Sequence, residues 1–305
     1  MSTIVTADNL LKKKYGVFMH FLQHNRPEGW NKTVENFDVS ALARDLHDVG
    51  AGWFFITLMQ GRRYMCAPSA TYDEIAGTKP GEACSERDLP QDIINALSPL
   101  GIDTCLYYTG DGPYMDELIG KRFGFTEPRH LGVTRPFVEK WSSVLREYAL
   151  RYGDAVKAWW IDGCYKYDFK YNEEFLQLYV DACHAGNPNS LVGLNDGTKL
   201  VFTRDWQAEN MTCGEFNSFT VLPKGRYTDG VQSHILAPLG VQKPGRPECE
   251  SWCSPGLKHS KEHMADYVRR ANELGCLVSI DVCIDERGHI NPQHLEALAY
   301  ISAHC

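Results

Sequence analysis

The sequence lacks the features that mark a membrane protein or a protein with an amino-terminal signal. None of its apolar runs approaches the roughly 18 residues of a membrane-spanning helix, and the opening residues "MSTIVTADNLLKKKYG" contain no long apolar segment. Basic residues are also scarce, because 31 Lys and Arg stand against 39 Asp and Glu, for a formal net charge of -8. These absences favour a soluble cytoplasmic protein and argue against nucleic-acid or membrane partners.

Several motifs that would indicate a cofactor or another class of catalysis are missing. No G-x-G-x-x-G follows the first predicted strand, and no G-x-x-x-x-G-K-[ST], H-E-x-x-H or G-x-S-x-G occurs. His20 and His24 form H-x-x-x-H with no further histidine pair at a strand end, and Cys249 and Cys253 have no second cysteine pair at zinc spacing. We therefore expect no cofactor and no metal dependence.

The cysteines point to a compartment rather than to a disulfide framework. Eleven cysteines are an odd number, and those at 105, 276 and 283 lie within apolar runs. Scattered cysteines in apolar surroundings are typical of buried thiols in a reducing environment. This pattern agrees with the expectation of a cytoplasmic protein.

Short apolar runs alternate with amphipathic stretches along the whole chain. The runs at 15–21, 52–59, 102–108, 155–161, 190–195 and 276–284 read as strands, and those at 37–51, 87–101, 135–151, 172–186, 258–275 and 291–305 read as helices. Asp38 and Ser260 are suitable N-caps. Strands that alternate with helices and are apolar throughout predict a parallel sheet covered by helices. At 305 residues and 43% hydrophobic, the chain is long enough for one large core, and we predict a single catalytic domain over 1–305.

Polar residues recur where the predicted strands end, and this decides between two kinds of parallel sheet. In a (β/α)8 barrel, all strand carboxyl ends open on one mouth, so chemistry spread over many strand ends is typical of that fold. The residues concerned are His20, Thr57, Gln60, Asp111, Asp162, Asn195 and Asp196. We therefore predict an irregular (β/α)8 barrel.

Asp162 is the strongest catalytic candidate. It follows the apolar run "AVKAWWI", and Gly163 frees the backbone to turn directly after it. Only one of the two preceding tryptophans is expected to face inward, because alternate strand residues face opposite ways. The competing interpretation is that Asp162 caps the next loop or pairs with a Lys or Arg.

Glycoside cleavage would require a second carboxylate or another acid. Glu215 is the first choice, since it ends a short apolar segment behind a glycine. The alternatives left open are Glu209 in a polar turn, Glu248 and Glu250 in a Pro/Gly-rich loop, and His234 in "VQSHILAPLG".

Five landmarks in order resemble the catalytic barrel of glycoside hydrolase family 29, the α-L-fucosidases. That family opens with Y-G-x-F-x-H-W, here "YGVFMHF" (Tyr15–Phe21), and its W-x-D-G segment corresponds to "WWIDG". The other three matches are "FDVSALARDLHDVGAGWFFIT", "RDLPQDIINALSPLGIDTCLYYT" and "LVSIDVCIDERGHI". The resemblance implies a retaining glycosidase on an irregular barrel, with Asp162 as nucleophile and His20 in contact with a sugar hydroxyl.

The sequence departs from that family at four places. Where the family has K-H-H-D-G-F, this chain has "LMQGRRYMCAPS", with Met59 and Gln60 near the histidine positions, and Phe21 replaces a tryptophan. The W-E segment of the family's acid/base has no clean match, so Gln232, His234, Glu248 or Glu215 could stand there. The chain ends soon after the last barrel helix, without the β-sandwich that often follows.

Together these observations predict a retaining exo-glycosidase that removes a terminal sugar from a small carbohydrate. Asp162 and Glu215 would be catalytic, His20, Gln60, Asn195 and His234 would bind hydroxyls, and Tyr108, Trp160 and Trp252 would stack on the sugar. The alternatives are a barrel that binds sugar without hydrolysing it and an unrelated intracellular barrel hydrolase. A homo-oligomer is left open.

Overall fold

A computed structural model of the chain describes residues 2–22, 29–126, 128–242, 245 and 251–305. The strands are β1 (Tyr15–Met19), β2 (Trp53–Thr57), β3 (Asp103–Thr109), β4 (Val156–Asp162), β5 (Leu191–Leu194), β6 (Tyr227–Thr228), β7 (Val231–Gln232), β8 (His234–Pro238) and β9 (Leu277–Asp281). The α-helices are α1 (Thr3–Leu11), α2 (Trp30–Glu35), α3 (Val39–Asp48), α4 (Ala70–Ala76), α5 (Leu89–Leu97), α6 (Glu117–Phe123), α7 (Arg135–Tyr152), α8 (Glu173–Gly186), α9 (Lys261–Glu273) and α10 (Pro292–His304).

Seven of these strands form one parallel sheet. Their order is β5-β4-β3-β2-β1-β9-β8, while β6 and β7 form a separate antiparallel pair. In the centre of the sheet, Phe18 of β1 is aligned with Phe55 of β2 and with Asp281 of β9. The carboxyl ends of the seven strands therefore lie on one side.

An extended segment, residues 211–216, joins the two edges of this sheet. The amide of Met211 donates to the carbonyl of Val192 in β5 at 3.3 Å. On the other side, Glu215 forms a parallel bridge with Leu236 of β8, and the amide of Phe216 donates to the Leu236 carbonyl at 3.0 Å. This segment occupies the place of the missing strand, and the sheet closes into the irregular barrel that the sequence predicts.

The apolar side chains form two layers, one inside the barrel and one between the sheet and the helices. Trp160 belongs to the inner cluster, whose aromatic members also include Phe18, Trp53, Phe55 and Tyr107. Trp159 belongs to the outer cluster. Strand alternation thus points one tryptophan of the pair inward and the other outward, as expected. Helix α1 adds Ala7 and Leu10 to the inner cluster.

Local sequence signals account for the helix starts. The Asp38 carboxylate accepts from the Ala41 amide at 2.9 Å, and the Ser260 hydroxyl accepts from the His263 amide at 3.2 Å, so both predicted N-caps are confirmed. Among the described residues, no helix combines the length and apolar character needed to cross a membrane. The candidates His24, Glu248 and Glu250 lie outside the described residues.

Candidate active site

Two carboxylates lie close together at the mouth of the barrel, with one side-chain amide between them. Asp162 is the last residue of β4, Asn195 follows β5, and Glu215 lies in the segment that closes the barrel. Nδ2 of Asn195 donates to Oδ1 of Asp162 at 2.8 Å and to Oε2 of Glu215 at 2.5 Å. Because one nitrogen serves both oxygens, they are at most about 5.3 Å apart, the sum of these two distances.

The backbone fixes Asn195 in this position. Its amide donates to the carbonyl of Ile161 at 2.8 Å, and its own carbonyl accepts from the amide of Cys164 at 2.9 Å. Asn195 is fully buried, so its side chain has little freedom to turn away. The pairing of β4 with β5 therefore extends beyond the strands and orients the amide between the carboxylates.

Tyr107 supports Asp162 from the neighbouring strand. The Tyr107 hydroxyl donates to Oδ2 of Asp162 at 2.6 Å, and its ring stacks on Trp160 with centroids 5.4 Å apart. Burial and the Asp162 charge raise the pKa of Tyr107 well above its ordinary value, so it stays a hydrogen-bond donor. Both oxygens of Asp162 thus accept a hydrogen bond from a rigid, buried donor.

Removing the Tyr107 hydroxyl is expected to weaken the site without dismantling it. A hydrogen bond to a charged group contributes about 1.5–3 kcal/mol, so Tyr107→Phe should reduce turnover by about 10- to 100-fold while the ring keeps its packing. Thermal unfolding and steady-state kinetics measure the two effects separately. As a control, Tyr108→Phe removes a hydroxyl that donates to the carbonyl of Trp141, and its effect on turnover should be smaller.

Glu215 receives hydrogen bonds from two side chains. Burial and the neighbouring Asp162 charge raise the pKa of Glu215 above its ordinary value, although hydrogen bonds from Asn195 and Thr198 oppose that shift. The Thr198 hydroxyl donates to Oε1 of Glu215 at 3.0 Å. Glu215 therefore retains its proton to higher pH than an ordinary glutamate does.

A third carboxyl group, Asp111, lies behind the Asp162 turn. It is 4% exposed, and its Oδ1 has no hydrogen-bond partner among the described residues. Burial, followed by the Asp162 charge, raises the pKa of Asp111 well above its ordinary value. The carboxyl group of Asp111 is thus expected to hold its proton to higher pH than an ordinary aspartate does.

The close approach of Asp111 explains the glycine after Asp162. Gly163 has φ +71°, and a Cβ at that position would lie 2.5 Å from Cγ of Asp111. Gly77 at the end of α4 has the same φ of +71°, but a Cβ there would have no atom within 4 Å. Alanine at Gly77 would therefore have only the energetic cost of a left-handed backbone, whereas alanine at Gly163 would have that cost and the cost of a collision with Asp111.

Alanine at these two positions is expected to have unequal effects. Gly77→Ala should lower the free energy of unfolding by about 1–2 kcal/mol, the cost of a left-handed non-glycine residue. Gly163→Ala should cost a further ~1–3 kcal/mol from overpacking and should displace Asp162. Denaturant unfolding measures both, and equal destabilisation by the two substitutions would contradict the collision with Asp111.

His20 forms a buried pair with a residue that we did not single out from the sequence. Its Nδ1 lies 2.7 Å from Oδ1 of Asp281, the last residue of β9, and the two side chains are 8% and 1% exposed. The His20 ring lies 5.9 Å from the Tyr107 ring and 5.5 Å from the Trp252 ring, edge to face in both cases. His20 and Trp252 therefore lie at the barrel mouth beside the carboxylate pair.

Two predicted stacking residues are not available to a sugar, and those interpretations are corrected. Tyr108 is fully buried and stacks on Trp141 of α7 with centroids 4.9 Å apart, so its ring lies in the outer layer. Trp160 is 3% exposed and donates to the carbonyl of Cys213 at 3.1 Å. Trp160 supports Tyr107 from inside the barrel, and Tyr107, which is also fully buried, supports Asp162.

His234 is also corrected, because it is the first residue of β8 and not at the carboxyl end of that strand. Its Nδ1 lies 2.9 Å from the carbonyl of Cys213, and its Nε2 lies 2.9 Å from the hydroxyl of Ser279. Complete burial lowers the pKa of His234 to about 4. A neutral histidine with both nitrogens occupied inside the barrel can neither donate an acid proton nor bind a sugar hydroxyl.

The remaining candidates have different surroundings. Glu209 accepts hydrogen bonds from the amides of Leu194 and Asp205 at 3.0 and 2.8 Å, so both of its carboxylate oxygens are bound to backbone N–H groups. Gln60 follows β2, and its Oε1 is buried without a hydrogen-bond partner among the described residues. Glu209 is therefore explained by structure, while Gln60 stays a predicted contact.

Within the described part of the chain, one group of side chains has the composition of a metal site. His20, Cys253 and Asp281 place a nitrogen, a sulfur and a carboxylate oxygen within 4.8 Å of one another. Sequence spacing could not reveal this group, since its members come from the ends of β1 and β9 and from the loop after β8.

Taken together, the mouth of the barrel contains one hydrogen-bonded carboxylate and one carboxyl group with a raised pKa at close range. Such a pair can attack an electrophilic carbon with one member and transfer a proton with the other. Tyr107, Thr198 and Asp281, which support this chemistry, were not singled out from the sequence. Strand alternation around Asp162 is a signal that could have identified Tyr107.

The fold can be compared with solved structures. An endo-fucoidan hydrolase from glycoside hydrolase family 107 matches with a TM-score of 0.74 and 14% identity over 98% of this chain and 92% of that chain. A second endo-fucoidan hydrolase of family 107 matches with a TM-score of 0.73 and 14% identity, covering 96% of this chain and 53% of that one. An α-L-fucosidase of family 29 from Bacteroides thetaiotaomicron matches with a TM-score of 0.63 and 17% identity, covering 98% and 72%.

Sequence comparisons give no such likeness. No protein-family model matches this chain, and a search of curated proteins finds no similar sequence. The chain spans only about half the length of the second endo-fucoidan hydrolase, 53%. The conclusion from these comparisons is that the chain has the α/β barrel fold found in glycoside hydrolases of families 29 and 107.

Proposed function

We propose that this protein is a retaining glycoside hydrolase that releases a terminal fucose or a closely similar sugar. The observation that carries the proposal is the amide of Asn195 between Asp162 and Glu215, which limits their nearest oxygens to about 5.3 Å. Retaining enzymes hold their two carboxyl groups about 5–5.5 Å apart, whereas inverting enzymes need about 6.5–9.5 Å to admit a water molecule. The spacing favours direct attack by a carboxylate.

In the first step, a carboxylate oxygen of Asp162 attacks the anomeric carbon. The bond from that carbon to the leaving oxygen breaks, and Glu215 transfers its proton to the leaving oxygen. The product is a glycosyl ester of Asp162. In the second step, Glu215 removes a proton from water as the water oxygen attacks the anomeric carbon, and the ester bond to Asp162 breaks. Both carboxyl groups return to their initial state.

The electrostatics of the pair support this division of roles. The raised pKa of Glu215 favours a protonated acid at the start of the first step. Once Asp162 is esterified, its charge is lost, and the pKa of Glu215 falls because part of its shift came from that charge. Glu215 is then better suited to act as a base in the second step.

The choice of sugar depends on the comparisons rather than on the site. The similar structures are those of an α-L-fucosidase and of endo-fucoidan hydrolases. His20 and Trp252 at the barrel mouth offer a hydrogen-bonding nitrogen and an aromatic edge for a sugar ring. We propose an exo-acting enzyme related to family 29, with His20, Gln60 and Trp252 as sugar contacts.

A panel of aryl glycosides tests this function. Turnover should be highest on the α-L-fucoside and lower on the α-D-galactoside, α-D-glucoside and α-L-arabinoside, and NMR of the first-formed sugar should show retained anomeric configuration. Release of the inverted sugar would contradict the mechanism. Binding of sugar without turnover across the panel would instead indicate a barrel that binds carbohydrate and does not hydrolyse it.

A further inference from the structure

The group formed by His20, Cys253 and Asp281 lies beside the carboxylate pair. The proposed hydrolysis does not require a metal ion at this group. A ring nitrogen of His20, the Cys253 Sγ and a carboxylate oxygen of Asp281 lie within 4.8 Å of one another. Imidazole, thiolate and carboxylate are the three ligand types that Zn²⁺ takes in proteins, at about 2.0–2.3 Å. Three protein ligands with a fourth position left open are typical of zinc sites that face a cleft.

The three side chains of this group are brought together before any ion arrives. Asp281 ends β9 and is 1% exposed at its side chain, and His20 follows β1 and is 8% exposed. The backbone amide of Cys253 donates to Oδ2 of Asp281 at 2.9 Å, which ties the loop after β8 to the carboxylate. Little side-chain freedom would be lost on binding, so the entropic cost of assembling the site is small.

The backbone at Cys253 adds a second, independent observation. Its φ is +56°, a left-handed conformation that costs a non-glycine residue about 1–3 kcal/mol and occurs preferentially at functional sites. A glycine would adopt that conformation without strain, but it would supply no sulfur. The strained residue in this loop is thus the one that brings a thiol to His20 and Asp281.

We propose that His20, Cys253 and Asp281 bind one thiophilic divalent cation, with Zn²⁺ as the fitting ion. The ion takes the place of the proton that Nδ1 of His20 shares with Asp281, and the Cys253 thiol loses its proton to become the third ligand. His20 Nδ1 and Asp281 Oδ1, now 2.7 Å apart, then have to separate slightly, because two ligands at about 2.0–2.2 Å from a tetrahedral ion lie about 3.3–3.5 Å from each other.

Occupancy of this site has a consequence for catalysis, and this consequence alone rests on the proposed function. The transition state of glycoside cleavage develops positive charge at the anomeric carbon. A divalent cation on His20, whose ring lies 5.9 Å from that of Tyr107, opposes that charge and withdraws His20 from the sugar. Zinc is therefore an inhibitor of the enzyme and not its cofactor.

Metal binding can be measured without any substrate. The purified full chain is titrated with Co²⁺ and with Zn²⁺, and a near-ultraviolet thiolate-to-cobalt band together with chelator competition should report one equivalent bound. Loss of an outer-shell partner weakens metal binding by about 10- to 100-fold, and Cys253→Ser should weaken zinc binding by more than that and abolish the band. Cys305→Ser, a matched change at another half-buried cysteine, should bind as the unaltered protein does.

Two outcomes would overturn the proposal. One is the absence of stoichiometric binding to the unaltered protein, and the other is binding that Cys253→Ser leaves intact. Cys253→Ala serves as a second variant if the serine variant does not fold. Where hydrolysis is present, Zn²⁺ should inhibit the unaltered protein and spare Cys253→Ser, and bound zinc without inhibition would contradict the placement at His20. A protein without hydrolytic activity would still give a decisive titration.

Discussion

Replacing Asp162 by glycine is expected to reduce kcat/KM on an aryl α-L-fucoside by about 10⁴-fold or more, in line with the loss of other covalent nucleophiles. No described neighbour can take over attack, since Glu215 is held by Asn195 and Thr198 and Asp111 lies behind the Asp162 turn with a buried carboxyl group. Steady-state kinetics on the panel of aryl glycosides measures the loss.

Azide distinguishes this loss from a general failure of the site. In Asp162→Gly, azide should enter the vacated space, attack the anomeric carbon from the side of the missing carboxylate and give a glycosyl azide of inverted configuration. Asp168→Asn, on the same loop and paired with Arg129 at the surface, should retain nearly full activity. An Asp162→Gly variant that keeps its activity without azide would contradict the role of Asp162.

Replacing Glu215 by alanine is expected to produce a loss that depends on the leaving group. General acid catalysis contributes about 10²–10⁴-fold, and this contribution should be lost for substrates whose leaving oxygen needs a proton. An aryl glycoside with a strongly acidic phenol does not need that proton in the first step, so its covalent intermediate should accumulate in Glu215→Ala. A pre-steady-state burst with slow turnover reports this accumulation, and azide should restore turnover with retained configuration.

The pH dependence of the unaltered protein should report the same group. Because the pKa of Glu215 is raised in the folded protein, its acid form persists to higher pH, and kcat/KM should fall as the pH rises through that raised value. This alkaline limb should disappear in Glu215→Ala. If the alkaline limb persists unchanged in the variant, the titrating proton belongs to another residue and Glu215 is not the acid/base.

Strand periodicity and the polar residues at strand ends were together sufficient to predict the barrel and the position of its main carboxylate. The alternation of apolar strands with capped helices predicted the parallel sheet, and Asp38 and Ser260 marked helix starts correctly. Asp162 and Asn195 could be placed at one mouth because each follows an apolar strand, and parallel strands bring such ends together. Glu215 required one more inference, that a short apolar segment without regular pairing occupies a strand position.

The wrong predictions concern residues whose surroundings change when the strand position shifts by one residue or when the other end of the strand is meant. Tyr107 and Tyr108 are adjacent in a strand of seven residues, and the alternation of faces sends one to Asp162 and the other to Trp141. His234 lies at the amino end of β8, and sequence patterns do not fix strand ends closely enough to distinguish that from the carboxyl end. The group of Cys253 with His20 and Asp281 depends on tertiary contacts between distant segments, which no local pattern encodes.

The central claim, that Asp162 forms a covalent bond to the sugar while Glu215 supplies the proton, can be tested by trapping. A 2-deoxy-2-fluoro fucosyl fluoride slows both steps but carries its own good leaving group, so the glycosyl ester should accumulate on the full chain. Peptide mass spectrometry should locate one added sugar at Asp162, and Asp162→Asn should remain unlabelled. A label on another residue, or turnover that releases inverted sugar with no label, would contradict the account.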